Sequence, residues 1–192
     1  ANINPEDIGL PFTYTDIYGK LSINGGNGSK ADFFGFNFTD GFNVPSIANL
    51  SWENNGGGTN FILIPLNSNI IMNGTISYSD YQISLLEQDA SPRTSGITTT
   101  NASLNFAYFG RNSQLDYGLE FNGFNTDFTF TNLLGLRFTQ EDFTTELSAY
   151  MKYKQKIGNF ILEPGIRFQY YASQNKASIE PRFGMKWNAT NF

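Results

Sequence analysis

The stretch that decides the fold is Asp142 to Trp187, DFTTELSAYMKYKQKIGNFILEPGIRFQYYASQNKASIEPRFGMKW, which alternates apolar and polar residues through three successive segments. Phe143, Thr145, Leu147, Ala149, Met151 and Tyr153 occupy one parity, against Thr144, Glu146, Ser148, Tyr150, Lys152 and Lys154 on the other. After Gln155-Lys156-Ile157-Gly158 the pattern restarts with Phe160, Leu162, Pro164, Ile166, Phe168 and Tyr170 against Glu163, Gly165, Arg167 and Gln169. After Ser173-Gln174-Asn175-Lys176 it restarts with Ala177, Ile179, Pro181, Phe183, Met185 and Trp187 against Ser178, Glu180, Arg182, Gly184 and Lys186. A period of two over segments this long predicts β-strands, because successive side chains of a strand point to opposite faces.

These segments outrun an ordinary globular strand, and their two faces differ: one is large and aromatic, and the other carries full charges. Such segments, with aromatics near their ends and short turns alternating with longer loops, match strands that face lipid on one side and water on the other. The fold expected is all-β: about ten antiparallel transmembrane strands, part of a larger barrel. With 40% hydrophobic, 16% aromatic and 15% charged residues, the 192-residue chain is aromatic-rich and charge-poor, yet its mean hydropathy is −0.32. The longest apolar run, Phe61 to Leu66, is far short of the roughly 18 residues a spanning helix needs. A membrane chain of this kind must cross as strands that close on themselves or on more chain, since open backbone groups are costly in hydrocarbon.

Composition narrows the chemistry. The chain has no Cys and no His, which removes disulfides, thiolate metal sites and imidazole-based triads. No catalytic role is expected, nor a metal or cofactor. A net charge of −5 with no basic stripe argues against nucleic acid as a partner. Ala1 opens without a secretory leader pattern, so a mature form or a piece of something longer is expected.

In chain order, 1–11 reads as an unpatterned lead-in and 12–192 as barrel, expected to be incomplete at both ends. A first strand is predicted from Phe12 to Asn24, ending at the turn Gly25-Gly26-Asn27-Gly28. Short strands follow at Ala31 to Phe38, Ile47 to Glu53 and Thr59 to Pro65, with turns at Thr39 to Pro45, Asn54 to Gly58 and Leu66 to Asn69. From Ile70 the segments lengthen. Met72, Ile76 and Tyr78 share one parity and Tyr81, Ile83 and Leu85 the other, so a bulge near Ser79, or a strand leaving the bilayer there, is expected. Past a loop at 87–96, Ala102, Leu104, Phe106 and Tyr108 alternate, then Leu115, Tyr117, Leu119 and Phe121, with a second parity flip at Gly123 and a loop from Thr131 to Glu141. Tight connections at 110–114, 155–158 and 188–191 against looser ones at 87–97 and 131–141 give a provisional orientation, short turns on the periplasmic side. Phe192 falls on the wrong parity for the last strand's apolar face and, after Asn188-Ala189-Thr190-Asn191, reads as the start of a further strand.

The segment Ala177 to Trp187, with Glu180-Pro181-Arg182-Phe183-Gly184 at its centre and Asn188-Ala189-Thr190 after it, resembles the E-P-R-x-G strand and turn of TonB-dependent outer-membrane receptor barrels. Gly158-Asn159-Phe160-Ile161-Leu162-Glu163-Pro164-Gly165-Ile166-Arg167 is a similar element one hairpin earlier. Tyr18 to Asn24, Phe33 to Phe38 and Gly56 to Phe61 resemble the early barrel of such receptors from Bacteroidota. The resemblance implies a barrel of about 22 strands around a plug, in the cell outer membrane, taking up a scarce ligand with energy delivered by TonB. It also implies outer-membrane lipid, TonB, the plug and a possible surface lipoprotein as partners. No plug is present in the chain, and too few strands for a whole receptor.

Glu120, Glu146, Lys152, Glu163, Arg167, Glu180, Arg182 and Lys186 share the polar parity and are the candidates for lining a lumen or touching a plug. The simpler reading is that they satisfy one another and water in a polar interior. Glu120 with Glu146 is a poor glycosidase pair, since nothing fixes their separation. Glu87, Asp89, Glu141 and Asp142 lack the spacing of a calcium loop, and the Gly-rich turns at 25–28 and 56–58 open no helix that could cradle phosphate. Pro164 and Pro181 cannot donate to a ladder and are expected near the outer rim. Two other readings remain: a self-contained small barrel with a structural or adhesive role, in which first and last strands pair, and a soluble carbohydrate-binding sandwich, in which the Phe-rich faces meet in a dry core.

Overall fold

The structure, a computed structural model, describes residues 12–44, 48–87, 92–132 and 134–189. They form one sheet of nine antiparallel strands in chain order: β1 (Phe12–Asn24), β2 (Lys30–Val44), β3 (Ala48–Leu63), β4 (Ile70–Glu87), β5 (Arg93–Phe109), β6 (Ser113–Thr131), β7 (Arg137–Ile157), β8 (Phe160–Tyr171) and β9 (Lys176–Trp187). Each strand pairs with its sequence neighbours, and β1 and β9 do not pair with each other among the described residues. Connections 25–29, 64–69, 110–112 and 158–159 lie at one end of the sheet, the others at the opposite end.

The register turns the alternation into continuous rows. One row crosses all nine strands as Ile23, Ala31, Phe61, Gly74, Leu104, Leu119, Ala149, Phe168 and Ile179. The adjacent row, on the other face, reads Ser22, Asp32, Asn60, Thr75, Ser103, Glu120, Ser148, Gln169 and Ser178. An apolar row beside a polar row, unbroken across the sheet, is the pattern of a membrane barrel wall. Relative exposure agrees: Leu119 is 60% and Ile179 66% exposed, whereas Asp32 and Ser148 on the polar face are 8% and 7%. Side chains crowd on the concave side of a curved sheet and splay on the convex side, so the polar face is the concave one. No hydrophobic residue is buried among the described residues. A soluble sandwich needs a dry core between two sheets, and this single sheet without one rules that reading out.

Several local expectations are corrected. Among the described residues the strands number nine, close to the ten expected, and Asn54 to Gly58 is no turn: it runs through the middle of β3. Those glycines serve close approach, since a Cβ on Gly56 would stand 2.5 Å from Cζ of Phe36, whose ring lies across it. Thr39 to Val44 likewise continues β2 instead of turning. The tight turn expected at 155–158 is the two-residue 158–159, with Gly158 at φ +57°. The 87–96 and 131–141 loops shrink, because Arg93 opens β5 and Arg137 opens β7. Residues 1–11, 190–192 and 45–47, with the expectations resting on them, lie outside the described residues.

The parity flips at Ser79 and Gly123 are not bulges, since pairing runs through both without a slip. The strands leave the apolar band there and continue beyond it with their faces exchanged. Outward positions become polar: Asn55 donates to Glu53 at 2.8 Å and Thr98 to Asp80 at 2.6 Å. Inward positions become aromatic, with Phe36 and Phe38 stacked at 5.0 Å and Phe12 beside Phe42 at 5.0 Å. The sheet has a stepped rim, for β7 pairs with β8 only from Glu146 downward, leaving Arg137 to Thr145 paired on the β6 side alone.

Both prolines sit mid-strand, not at the rim. Pro164 pairs with Phe183, Pro181 with Ile166, level with the apolar band. The ladder yields where it must: β7 and β8 pair at Lys152/Gly165 and again at Gln155/Leu162, but not at Pro164 between them. Pro181 lies on β9, whose second edge is open among the described residues. On this geometry Ala149→Arg, at mid-band, is expected to cost about 2–4 kcal/mol of stability in lipid vesicles, and Ser178→Arg on the concave face under about 1 kcal/mol. Denaturant-dependent refolding into vesicles measures both, and equal costs would contradict the assignment of faces.

Candidate functional site

Hydrogen bonds trace the concave face from strand to strand. Ser22 donates to Asp32 at 2.5 Å, and Lys20 and Lys30 reach the same carboxylate at 3.3 and 3.0 Å. Thr75 donates to Asn60 at 2.9 Å and Asn105 to Asn73 at 3.1 Å. Tyr150 of β7 donates to Asn105 of β5 at 2.7 Å, spanning β6 at Gly118. A Cβ on Gly118 would lie 2.8 Å from the Tyr150 ring, so glycine is what lets that ring cross.

The densest part is centred on Glu120. Arg167 reaches its Oε2 at 2.7 Å and also donates to Ser148 Oγ at 3.1 Å, while Ser148 donates to Glu120 at 3.0 Å. Strands two apart are about 9.6 Å apart, so this bridge from β8 to β6 needs a long guanidinium and a short residue between, which Ser148 supplies. The register sets this up by placing Ser148 directly opposite Glu120. With Arg167 and Glu120 side chains 28% and 30% exposed, the pair contributes on the order of 1 kcal/mol, above a fully wet surface pair and below a buried one. Arg167 Nε is buried without a partner among the described residues.

The other candidates fall around this centre. Lys152 pairs with Asp116 at 3.2 Å, Glu163 with Lys154 at 3.2 Å, and Arg182 with Glu180 at 3.0 Å within its own strand. Lys152, Glu163, Arg167 and Arg182 border one polar hollow of about 430 Å³ together with Tyr150 and Asn105. Glu146 stands opposite Asn122 and Tyr171, diagonal to Glu120, and forms no hydrogen bond or ion pair among the described residues. Lys186 stands opposite Ile161 and reaches no carboxylate among them. The acidic residues singled out beyond the band do not converge: Glu87 meets Arg93 at 3.4 Å, Glu141 accepts from Asn125 and Asp142 from Gln140, and Asp89 lies outside the described residues.

Parity identified the face but not the partners. Asp116, Lys154, Ser148 and Tyr150 lay on the polar parity, and only the register shows that they touch Lys152, Glu163, Glu120 and Asn105. The Asp32 cluster carried no sequence signal, since Lys20 and Lys30 flank it at unremarkable spacings and converge only through the β1–β2 hairpin. A separate apolar hollow of about 590 Å³ lies on the convex face over Ala102 and Ala149, between Leu104, Leu119 and Phe168. Its lining offers lipid chains a surface and polar ligands nothing.

No family model and no curated protein matches the chain. Among solved structures it is similar in fold to the outer membrane transporter YddB from Escherichia coli, with a TM-score of 0.56 at 10% identity over 94% of this chain. The chain spans 34% of that transporter's length. The translocator domain of the autotransporter NalP from Neisseria meningitidis matches at a TM-score of 0.35 and 12% identity, covering 94% of this chain and 77% of that one, too slight a likeness to argue from. The fold is that of an outer-membrane β-barrel wall, and the outer membrane is where its apolar band belongs.

Proposed function

We propose that the nine strands are an arc of the wall of an outer-membrane uptake receptor, their concave polar face lining the lumen and their convex face against lipid. The observation that carries this reading is the apolar row lying beside a polar row across all nine strands. That β1 and β9 do not pair with each other among the described residues supports an arc over a closed barrel, because unpaired donors and acceptors in hydrocarbon cost several kcal/mol each. Further strands, to a total of about 22, would satisfy them. The finer assignment, a TonB-dependent receptor of the Bacteroidota kind with a plug and a possible surface lipoprotein, is supported by the Glu180-Pro181-Arg182-Phe183-Gly184 strand and its counterpart around Glu163-Pro164-Gly165. In this reading Glu120, Glu163, Arg167, Arg182 and Lys152 offer a plug a lattice of charged partners, with Glu146 and Lys186 left for contacts beyond the arc. Catalysis plays no part in it.

These 192 residues contain no cysteine, so a single introduced cysteine, with any cysteine elsewhere in the polypeptide replaced by serine, reports its own position. In the full polypeptide, Ser103→Cys on the central strand β5 is expected to react with a membrane-impermeant maleimide, and its neighbour Leu104→Cys only with a lipid-soluble one. The reverse pattern would sink the assignment of the lumen. Energised uptake adds that the Ser103→Cys labelling rate in living cells changes when a protonophore collapses the proton-motive force; an unchanged rate counts against TonB coupling and leaves the wall intact. For the Glu120 centre, Glu120→Gln and Arg167→Gln are each expected to destabilise, and the double variant less than their sum, with a coupling of about 1 kcal/mol in a double-mutant cycle. Additive effects would show that the pair contributes nothing.

A further inference from the structure

Beyond the lipid band the concave face of β1 to β3 combines rings and carboxylates in one place. The register sets Tyr14, Asp40 and Trp52 in one row and Asp16 beside Phe38 in the next, with Phe42 above. Asp16 and Asp40 are diagonal neighbours on one face, roughly 7–8 Å apart. Most other carboxylates of the concave face are held by cations of the chain itself: Asp32 by Lys20 and Lys30, Asp116 by Lys152, Glu120 by Arg167, Glu163 by Lys154 and Glu180 by Arg182, with Glu146 and Asp142, which accepts from Gln140, the exceptions. Asp16 and Asp40 have no cation beside them among the described residues.

The same rim holds an internal precedent. Across the arc, Arg93 lies 5.2 Å over the Phe130 ring and 3.4 Å from Glu87, so a ring and a carboxylate together hold a guanidinium. A ring face is negative and attracts a cation, most strongly for Trp. At β1 to β3 the rings are more numerous, Trp52 is among them, and the carboxylates number two. Neutral sugars stack on rings too and can donate hydroxyls to carboxylates, but only a cation draws on the full charge of both Asp16 and Asp40, as Arg93 does on Glu87 across the arc.

We propose that this face binds the cationic group of a ligand with an apolar or aromatic body, an ammonium or guanidinium seated against Asp40 beside Trp52 and Tyr14. The uptake reading enters only in making that ligand cargo; the binding stands by itself. The probe is benzyltrimethylammonium, titrated calorimetrically into the full polypeptide in detergent. The folded state of each variant is checked by its heat-modifiable gel mobility. Asp40→Asn and Trp52→Leu are each expected to weaken binding about tenfold, Asp40→Glu to retain most of it, and Asp127→Asn on the opposite face to change nothing. Raising the salt should weaken binding more in the wild type than in Asp40→Asn, which keeps only Asp16. Undiminished binding in folded Asp40→Asn overturns the proposal, as does absence of binding to the folded wild type. Binding of maltoheptaose that ignores Asp40→Asn overturns it in favour of a glycan. None of these readouts needs energised transport, so a failure here and a failure of the uptake reading are told apart.

Discussion

Backbone hydrogen bonding in hydrocarbon constrains everything else in this chain. Without a competing solvent, each peptide group must find its partner inside the protein, and a sequence without a long apolar run can do this only by laying strand against strand. That requirement explains why the nine strands run 12 to 21 residues and why, among the described residues, they pair only with their neighbours and bury no hydrophobic core. Stability comes from the ladder and from lipid on one face, and the side chains are freed from filling an interior.

Once the ladder is fixed, the two faces can specialise. The convex row from Ile23 to Ile179 needs only to be greasy, and it tolerates Gly74 because the Phe61 ring lies over that glycine. The concave face must keep charges from being stranded, and it does so by pairing them across strands and sometimes across two, as Arg167 does with Glu120 and Tyr150 with Asn105. Each such span depends on a small residue beneath it, Ser148 in one case and Gly118 in the other. Small residues on this face are as much a part of the charge network as the charges.

The later strands were legible from sequence alone because their alternation is strict, and β1 was placed from Phe12 to Asn24 by the same signal with a Gly-rich turn to end it. Over β2 and β3 the sequence pattern and the structure part for a physical reason. Gly56-Gly57-Gly58 looks like a turn in one dimension and is a clearance for the Phe36 ring in three. The parity flips were seen at Ser79 and Gly123, but only an unslipped register distinguishes a strand leaving lipid from a bulge within it. Of the candidate residues, the common face was readable while the pairings were not, since Glu163 finds Lys154 and Lys152 finds Asp116 across strands whose stagger no spacing reveals. Proline's missing donor argues for a place at the rim, yet Pro164 sits mid-strand and locally releases its neighbour on β7.

The step in the rim between β7 and β8 has a geometric consequence. Arg137 to Thr145 rises above the last β8 partner by roughly 30 Å at about 3.3 Å per residue, whereas the β8–β9 hairpin stops at Tyr171 and Lys176. The wall is therefore lower at the β8–β9 hairpin than at β6–β7 by the length of that stretch, and the backbone groups of Arg137 to Thr145 that face away from β6 have no strand beside them among the described residues.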